Sequence, residues 1–159
     1  MITRYCHLLY VVVLYIPKRV NQLIKVESKA SAAALWAKYP SMTALPLNSV
    51  IGVASRTSKD GLYVKGYATP GSCGNVHRVE ITIDEGKTWQ SAEIVYQEGR
   101  WSWTLWEAEV DGVEECGRVY SRAIDCAGNV QPREGIWNFR GVGYNGWGVK
   151  EWMVVAQHL

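Results

Sequence analysis

The sequence predicts an all-β fold, an immunoglobulin-like (E-set) β-sandwich of about seven strands preceded by a short helical connector. Three observations carry that expectation. From about Val50 onward, runs of four to eight residues alternate apolar and polar side chains, with turn-forming clusters between them. Eight Trp and nine Tyr stand against a single Phe, an aromatic usage that suits strands whose polar ring tips need partners. Finally, apolar residues make up 48% of 159 positions, enough for one domain with a real core.

Taken in chain order, residues 1–27 form an arm with no clear counterpart. Its apolar stretch LLYVVVLYI (residues 8–16) is too short to cross a bilayer, which takes about 20 residues, and PKRV follows where a signal peptide would place small residues. Residues 28–48 read as a connector, with SKASAAALWAKYP helical: Ser28 or Ser31 caps, three alanines favour helix, and Pro40 ends it. Residues 49–159 read as the sandwich. YVKGYA sets Val64 and Gly66 against Tyr63, Lys65 and Tyr67. VEITID points Val79, Ile81 and Ile83 inward and Glu80, Thr82 and Asp84 outward. WQSAEIVY and WSWTLWEAEV follow, the latter with Trp101, Trp103 and Leu105 on one face. RVYSRAID, IWNFRGV (Ile136 to Val142) and VKEWMVVA complete the set, joined by GSCGN, QEG, DGVEEC, CAGN and GYNG.

Charge and cysteine usage exclude several classes. Residues 1–40 carry a net +5, but residues 41–159 carry −3, so the predicted domain lacks the basic face that nucleic acid or an anionic membrane surface requires. Neither is expected as a partner. Cys6, Cys73, Cys116 and Cys126 show no C-x-x-C pair and no histidine at a zinc-like offset; they read as free thiols of an intracellular protein, with a Cys116–Cys126 hairpin pair as the alternative. No metal site is expected. His7, His77 and His158 are scattered, G-x-S-x-G is absent, and no nucleophile-base-acid set is evident, so no catalytic residue is assigned in this chain.

Two motifs remain. TIDEGKTW (residues 82–89) fits the Asp-box pattern. Its physics is local: Asp84 accepts turn amides, Gly86 permits a positive φ, and Trp89 packs beneath the hairpin. The box occurs once rather than once per blade, so it is read as a structural turn rather than a glycosidase mark. In GIWNFRGVGYNGW, Arg140 stands among aromatic, small and amide residues, with no acid nearer than Glu134 along the chain. An interdomain salt bridge or stacking on Trp147 is the plainer use of it.

Six segments in order resemble the carboxy-terminal Mo-co oxidoreductase dimerisation domain of the sulfite oxidase family: LPLNSVIG, KGYA, VHRVEITIDEGKTW, WSWTLWEAEV, RAIDCAGNVQP and WNFRGVGYNGW. The resemblance runs from about Lys29 to Val155. It implies a homodimer that completes the substrate pocket of a molybdopterin-binding catalytic domain, with oxidation of sulfite to sulfate in the complete enzyme. It also implies that Arg140, framed by Trp137, Asn138 and Gly141, reaches the substrate oxyanion; nitrate-reductase relatives carry an apolar residue there. Nothing in the chain corresponds to the family's catalytic domain. The expectation is therefore a truncated gene product that by itself binds no molybdopterin and oxidises no sulfite, with a free-standing interaction module or a nitrate-reductase-type fragment as alternatives. The family implies a mitochondrial or peroxisomal setting.

Overall fold

A computed structural model of the chain describes residues 44–135 and 143–153. Contacts group Ala44–Gly135 with Asn145–Leu159 into one compact unit; Gly143 and Tyr144 fall outside it. Its elements are β1 (Asn48–Arg56), β2 (Leu62–Thr69), β3 (Val76–Thr82), β4 (Gln90–Ser91), β5 (Glu93–Tyr96), β6 (Thr104–Val110), β7 (Cys116–Asp125) and β8 (Gly148–Met153). They form two four-stranded antiparallel sheets, ordered β1-β2-β6-β5 and β4-β3-β7-β8. Both sheets contribute to one buried cluster: Ile51, Leu62, Val64, Trp106, Ala108 and Val110 from the first, and Val79, Ile81, Val119, Ala123 and Trp152 from the second. That is the sandwich solution, in which each sheet hides one face against the other. The helix expected over residues 28–40 and the strand expected over residues 136–142 lie outside the described residues.

Sheet membership explains the run WQSAEIVY, which reads as one strand but is two. Gln90–Ser91 pairs with β3, Ala92 N–H donates to Val79 O at 2.9 Å, and Glu93–Tyr96 then pairs with β6 in the other sheet. A strand that changes sheets closes the edge of the sandwich, and the alternation of side chains carries no mark of the transfer.

The KGYA motif has a packing reason. A Cβ on Gly66 would lie 2.0 Å from Val50 O and 2.6 Å from the Trp106 ring, so the indole fills the space a side chain would take. Trp106 is 1% exposed, and its Nε1 has no hydrogen-bond partner among the described residues. Gly117 makes a similar bed for Trp152, whose Nε1 donates to Glu114 O at 3.1 Å. Between the sheets, Ser49 and Ser121 satisfy each other through a hydroxyl pair at 3.0 Å.

Three sequence expectations need correction. Glu80 and Thr82, assigned to the solvent side of β3, are 8% and 4% exposed, whereas Ile83, assigned inward, is 36% exposed and lies beyond the strand. The outer face of this sheet is covered by an arginine and aromatic layer, so its polar residues are buried too. Trp101 and Trp103 are not strand residues: β6 begins at Thr104, and the two indoles are 79% and 52% exposed. Lastly, the cysteines are not all free. Cys73 and Cys126 are disulfide-bonded, with Cα atoms 6.2 Å apart, while Cys116 is free and exposed. The partners lie 53 residues apart on different loops, a pairing that spacing alone does not single out.

Candidate functional site

Several of the residues that the sequence singles out gather against the outer face of the β4-β3-β7-β8 sheet. The DEGK turn after β3 is built around Asp84, whose carboxylate accepts the amides of Lys87 (2.9 Å) and Thr88 (2.9 and 3.0 Å) and the hydroxyls of Thr82 and Thr88 (both 2.6 Å). This concentration of donors, the Thr82 hydroxyl foremost and the Thr88 hydroxyl next, holds the Asp84 carboxyl well below the usual carboxylate range. Gly86 has φ +91°, and Glu85 before it also takes a positive φ, +60°. A four-residue reversal with two left-handed positions needs this many bonds to the Asp84 side chain to persist. Trp89 then folds back, donating from Nε1 to Gly86 O at 3.1 Å.

Trp89 is one wall of an aromatic layer. Its ring meets Trp147 edge-on with centroids 4.8 Å apart, and Trp147 meets Tyr120 at 6.4 Å. Gly86 is glycine for a second reason here, since a Cβ would lie 2.7 Å from Trp147. Arg122 spreads over Trp89 at 3.8 Å and pairs with Glu80 at 2.7 Å, while Arg78 takes the other Glu80 oxygen at 2.8 Å. Arg133 lies over Trp147 at 5.3 Å and faces Glu85 at 3.5 Å. Among the described residues, the arginine against Trp147 is thus Arg133.

This layer buttresses the two feet of the segment that carries Arg140. Gln131, 1% exposed, is the tie between them. Its Oε1 accepts Ala123 N–H at 2.9 Å, and its Nε2 donates to Gly146 O at 2.6 Å and to Asn48 Oδ1 at 2.9 Å. Trp147 returns the connection twice, from Nε1 to Gln131 O (3.1 Å) and from its amide to Arg133 O (3.2 Å). The feet touch at Gly135, where a Cβ would stand 2.5 Å from Gly146 N and 2.8 Å from Asn145 N. Glycine at position 135 lets the backbones approach as no side chain would allow.

Of the residues named from sequence, Asp84, Gly86, Trp89 and Trp147 come together in this one cluster. Arg140, Trp137, Asn138 and Gly141 lie outside the described residues. Gln131, Arg133, Arg122 and Tyr120 were not singled out. Their only sequence signal is a glutamine before proline, an arginine just after that proline, and a tyrosine and an arginine in one strand, because their partners are distant in the chain: Asn48 is 83 residues from Gln131. Among the described residues no three His, Cys, Asp or Glu side chains converge as a metal-ligand set.

The comparisons with known proteins are consistent in direction. The family model of the Mo-co oxidoreductase dimerisation domain matches residues 40–151. Sulfite oxidase of Arabidopsis thaliana is 37% identical over 97 residues, covering 53% of this chain and 24% of that protein. Nitrate reductase [NAD(P)H] of Hordeum vulgare is 36% identical over 136 residues, covering 74% of this chain and 15% of that protein. Among solved structures, the sulfane dehydrogenase SoxCD of Paracoccus pantotrophus superposes with TM-score 0.50 at 28% identity, over 68% of this chain and 30% of that one. The chain thus spans less than a third of the length of each of these proteins.

Proposed function

The chain belongs to the family of Mo-co oxidoreductase dimerisation domains, and from that premise we propose that it serves a sulfite-oxidising molybdenum enzyme in two ways. It pairs with a second copy of itself, and it lends Arg140 to an anion pocket completed by a molybdopterin-binding domain. The observation that carries this reading is the clamp beneath the Arg140 segment: Gln131, Gly135, Gly146 and Trp147 hold its two ends together.

The chemistry suits the residue. A guanidinium stays charged at any working pH and offers forked donors to the oxygens of sulfite or sulfate. Its share is to bind and orient the anion.

A second reading has support of its own. The barley nitrate reductase match extends over more of the chain than the Arabidopsis sulfite oxidase match, at nearly the same identity. Arg140 favours the sulfite side by resemblance, since nitrate-reductase relatives carry an apolar residue at the matching position.

The test is a fusion in which this chain replaces the corresponding domain of a related sulfite oxidase. Arg140→Met then raises KM for sulfite roughly ten- to hundredfold, the worth of charge-assisted bonds, with kcat changing less. An unchanged KM sinks the role given to Arg140, and turnover of nitrate in place of sulfite moves the reading to the other branch. Sedimentation of the chain alone at micromolar concentration gives a dimer; a monomer removes the pairing.

A further inference from the structure

We propose that the Cys73–Cys126 bond is a thiol-exchange site, a reversible covalent link between the β2–β3 crossover and the turn that follows β7. Cys73 sits in the loop that carries the chain from one sheet to the other. Cys126 is the first residue after β7, in the turn leading to Gln131.

The segments joined by the sulfurs are also held without them. The Cys126 amide donates to Asn75 O at 3.2 Å, and the Gly74 amide to Gly71 O at 3.2 Å. Asp125 fixes its own turn: Oδ1 accepts the amides of Ala127 and Asn129 at 2.9 Å, and Oδ2 accepts Asn129 Nδ2 at 2.8 Å. On either side of the bond, Val76 and Ile124 are 2% and 4% exposed and anchor β3 and β7 in the interior. The link is therefore an addition to a connection that the fold already makes. Opening it changes how tightly the crossover is tethered, not whether the sheets form.

Access favours exchange at one sulfur. Cys126 is exposed and Cys73 half-buried, and a disulfide within reach of solvent thiolates belongs to the labile class. The thiolate of a small thiol attacks Cys126 Sγ. The sulfur–sulfur bond breaks, its electron pair leaves on Cys73 Sγ, and that sulfur takes a proton. A second small thiol then cleaves the mixed disulfide on Cys126, so two thiols are oxidised to one small disulfide as one protein disulfide becomes two thiols. The bond accordingly follows the redox poise of its compartment: closed where thiols are scarce, open where they abound. It stands independently of the role given to Arg140.

The experiment uses the full chain, air-oxidised, with glutathione as the probe and iodoacetamide as the label, read by mass spectrometry on the Cys73 and Cys126 peptides. Before thiol treatment both peptides are essentially unlabelled; after millimolar glutathione, labelling rises about tenfold while the far-ultraviolet circular dichroism is unchanged. In Cys73→Ser, oxidised glutathione is captured on the Cys126 thiolate as a mixed disulfide with release of one reduced glutathione, whereas in Cys126→Ser less is captured on the half-buried Cys73. Full labelling before reduction means the bond does not form and overturns the proposal. So does resistance to millimolar glutathione, or loss of strand signal on reduction, which would make the bond a structural requirement. Absence of the Cys126 adduct in Cys73→Ser overturns the assignment of the attacked sulfur.

Discussion

The Nε2 of Gln131 donates to the carbonyl oxygen of Gly146 at 2.6 Å, joining the two backbone strands that bracket the Arg140 segment through a side chain only 1% exposed. The same side chain serves Ala123 and Asn48, so one residue closes three connections. Gln131→Ala leaves a buried amide and a buried carbonyl without partners and a void where the side chain was. The expected loss is about 3 kcal/mol, read as a shift in the urea midpoint at constant slope. Gln131→Glu keeps the volume but turns a donor into an anion facing Gly146 O, and is expected to cost at least as much. A shift near zero for both variants would show that the feet are held by something else.

Gly86 and Gly112 separate conformational strain from crowding. Both have positive φ, +91° and +71°, but a Cβ at Gly86 meets Trp147 at 2.7 Å while one at Gly112 meets nothing within 4 Å. Gly112→Ala is expected to cost about 1 kcal/mol, the strain alone. Gly86→Ala adds displacement of the indole, to about 2–4 kcal/mol in all. Trp147 fluorescence should shift only in the second variant, and equal costs would rule out the ring contact.

Asp84 predicts an acid-labile turn. Its folded pKa is depressed, chiefly by the Thr82 and Thr88 hydroxyls. The stabilisation is therefore fully present above the unfolded carboxylate range, near pH 4, and is lost as pH falls through the lower folded value. Between neutrality and pH 5 the turn contributes no pH dependence. Below pH 4 the wild type should lose melting temperature more steeply than Asp84→Asn, in which no carboxylate is left to protonate. Parallel acid slopes for the two proteins would contradict the assignment.

Arg122 holds a buried anion. Glu80 is 8% exposed and is paired with Arg122 at 2.7 Å and Arg78 at 2.8 Å. Arg122→Ala leaves Glu80 with the more exposed of its two partners and uncovers the Trp89 face. The expected cost is about 3 kcal/mol. The double variant Arg122→Ala with Glu80→Gln should recover a measurable part, because the uncompensated charge is gone. No recovery would mean that the loss lies in the stacking of Arg122 on Trp89.

How far the sequence reaches can be followed residue by residue. Period-2 alternation found β2, β3, β6 and β7, since a strand half covered by a core writes its two faces into the chain directly. The DEGK turn was legible for the same local reason: Asp84, Gly86 and Thr88 lie within a few residues of the groups they bind. Alternation failed at Glu80, because whether a polar face is buried depends on what lies over it. Arg122, from the neighbouring strand β7, and Trp89, from the turn after β3, do the covering. It failed again at Ser91 and Glu93, neighbours in the chain that belong to different sheets.

By itself, then, the sequence determined strands β2, β3, β6 and β7 in outline, the Asp84 turn and, through ordered motifs spread over most of the chain, the family. Only the tertiary structure decided that Cys73 meets Cys126, that Gln131 binds Gly146 and Asn48, and that Trp147 lies between Trp89, Tyr120 and Arg133. The division has a physical cause. Backbone propensity and turn chemistry act over a few residues and leave a local signature, whereas a buried polar tie or a disulfide is specified by which loops the two sheets bring to the same end of the sandwich.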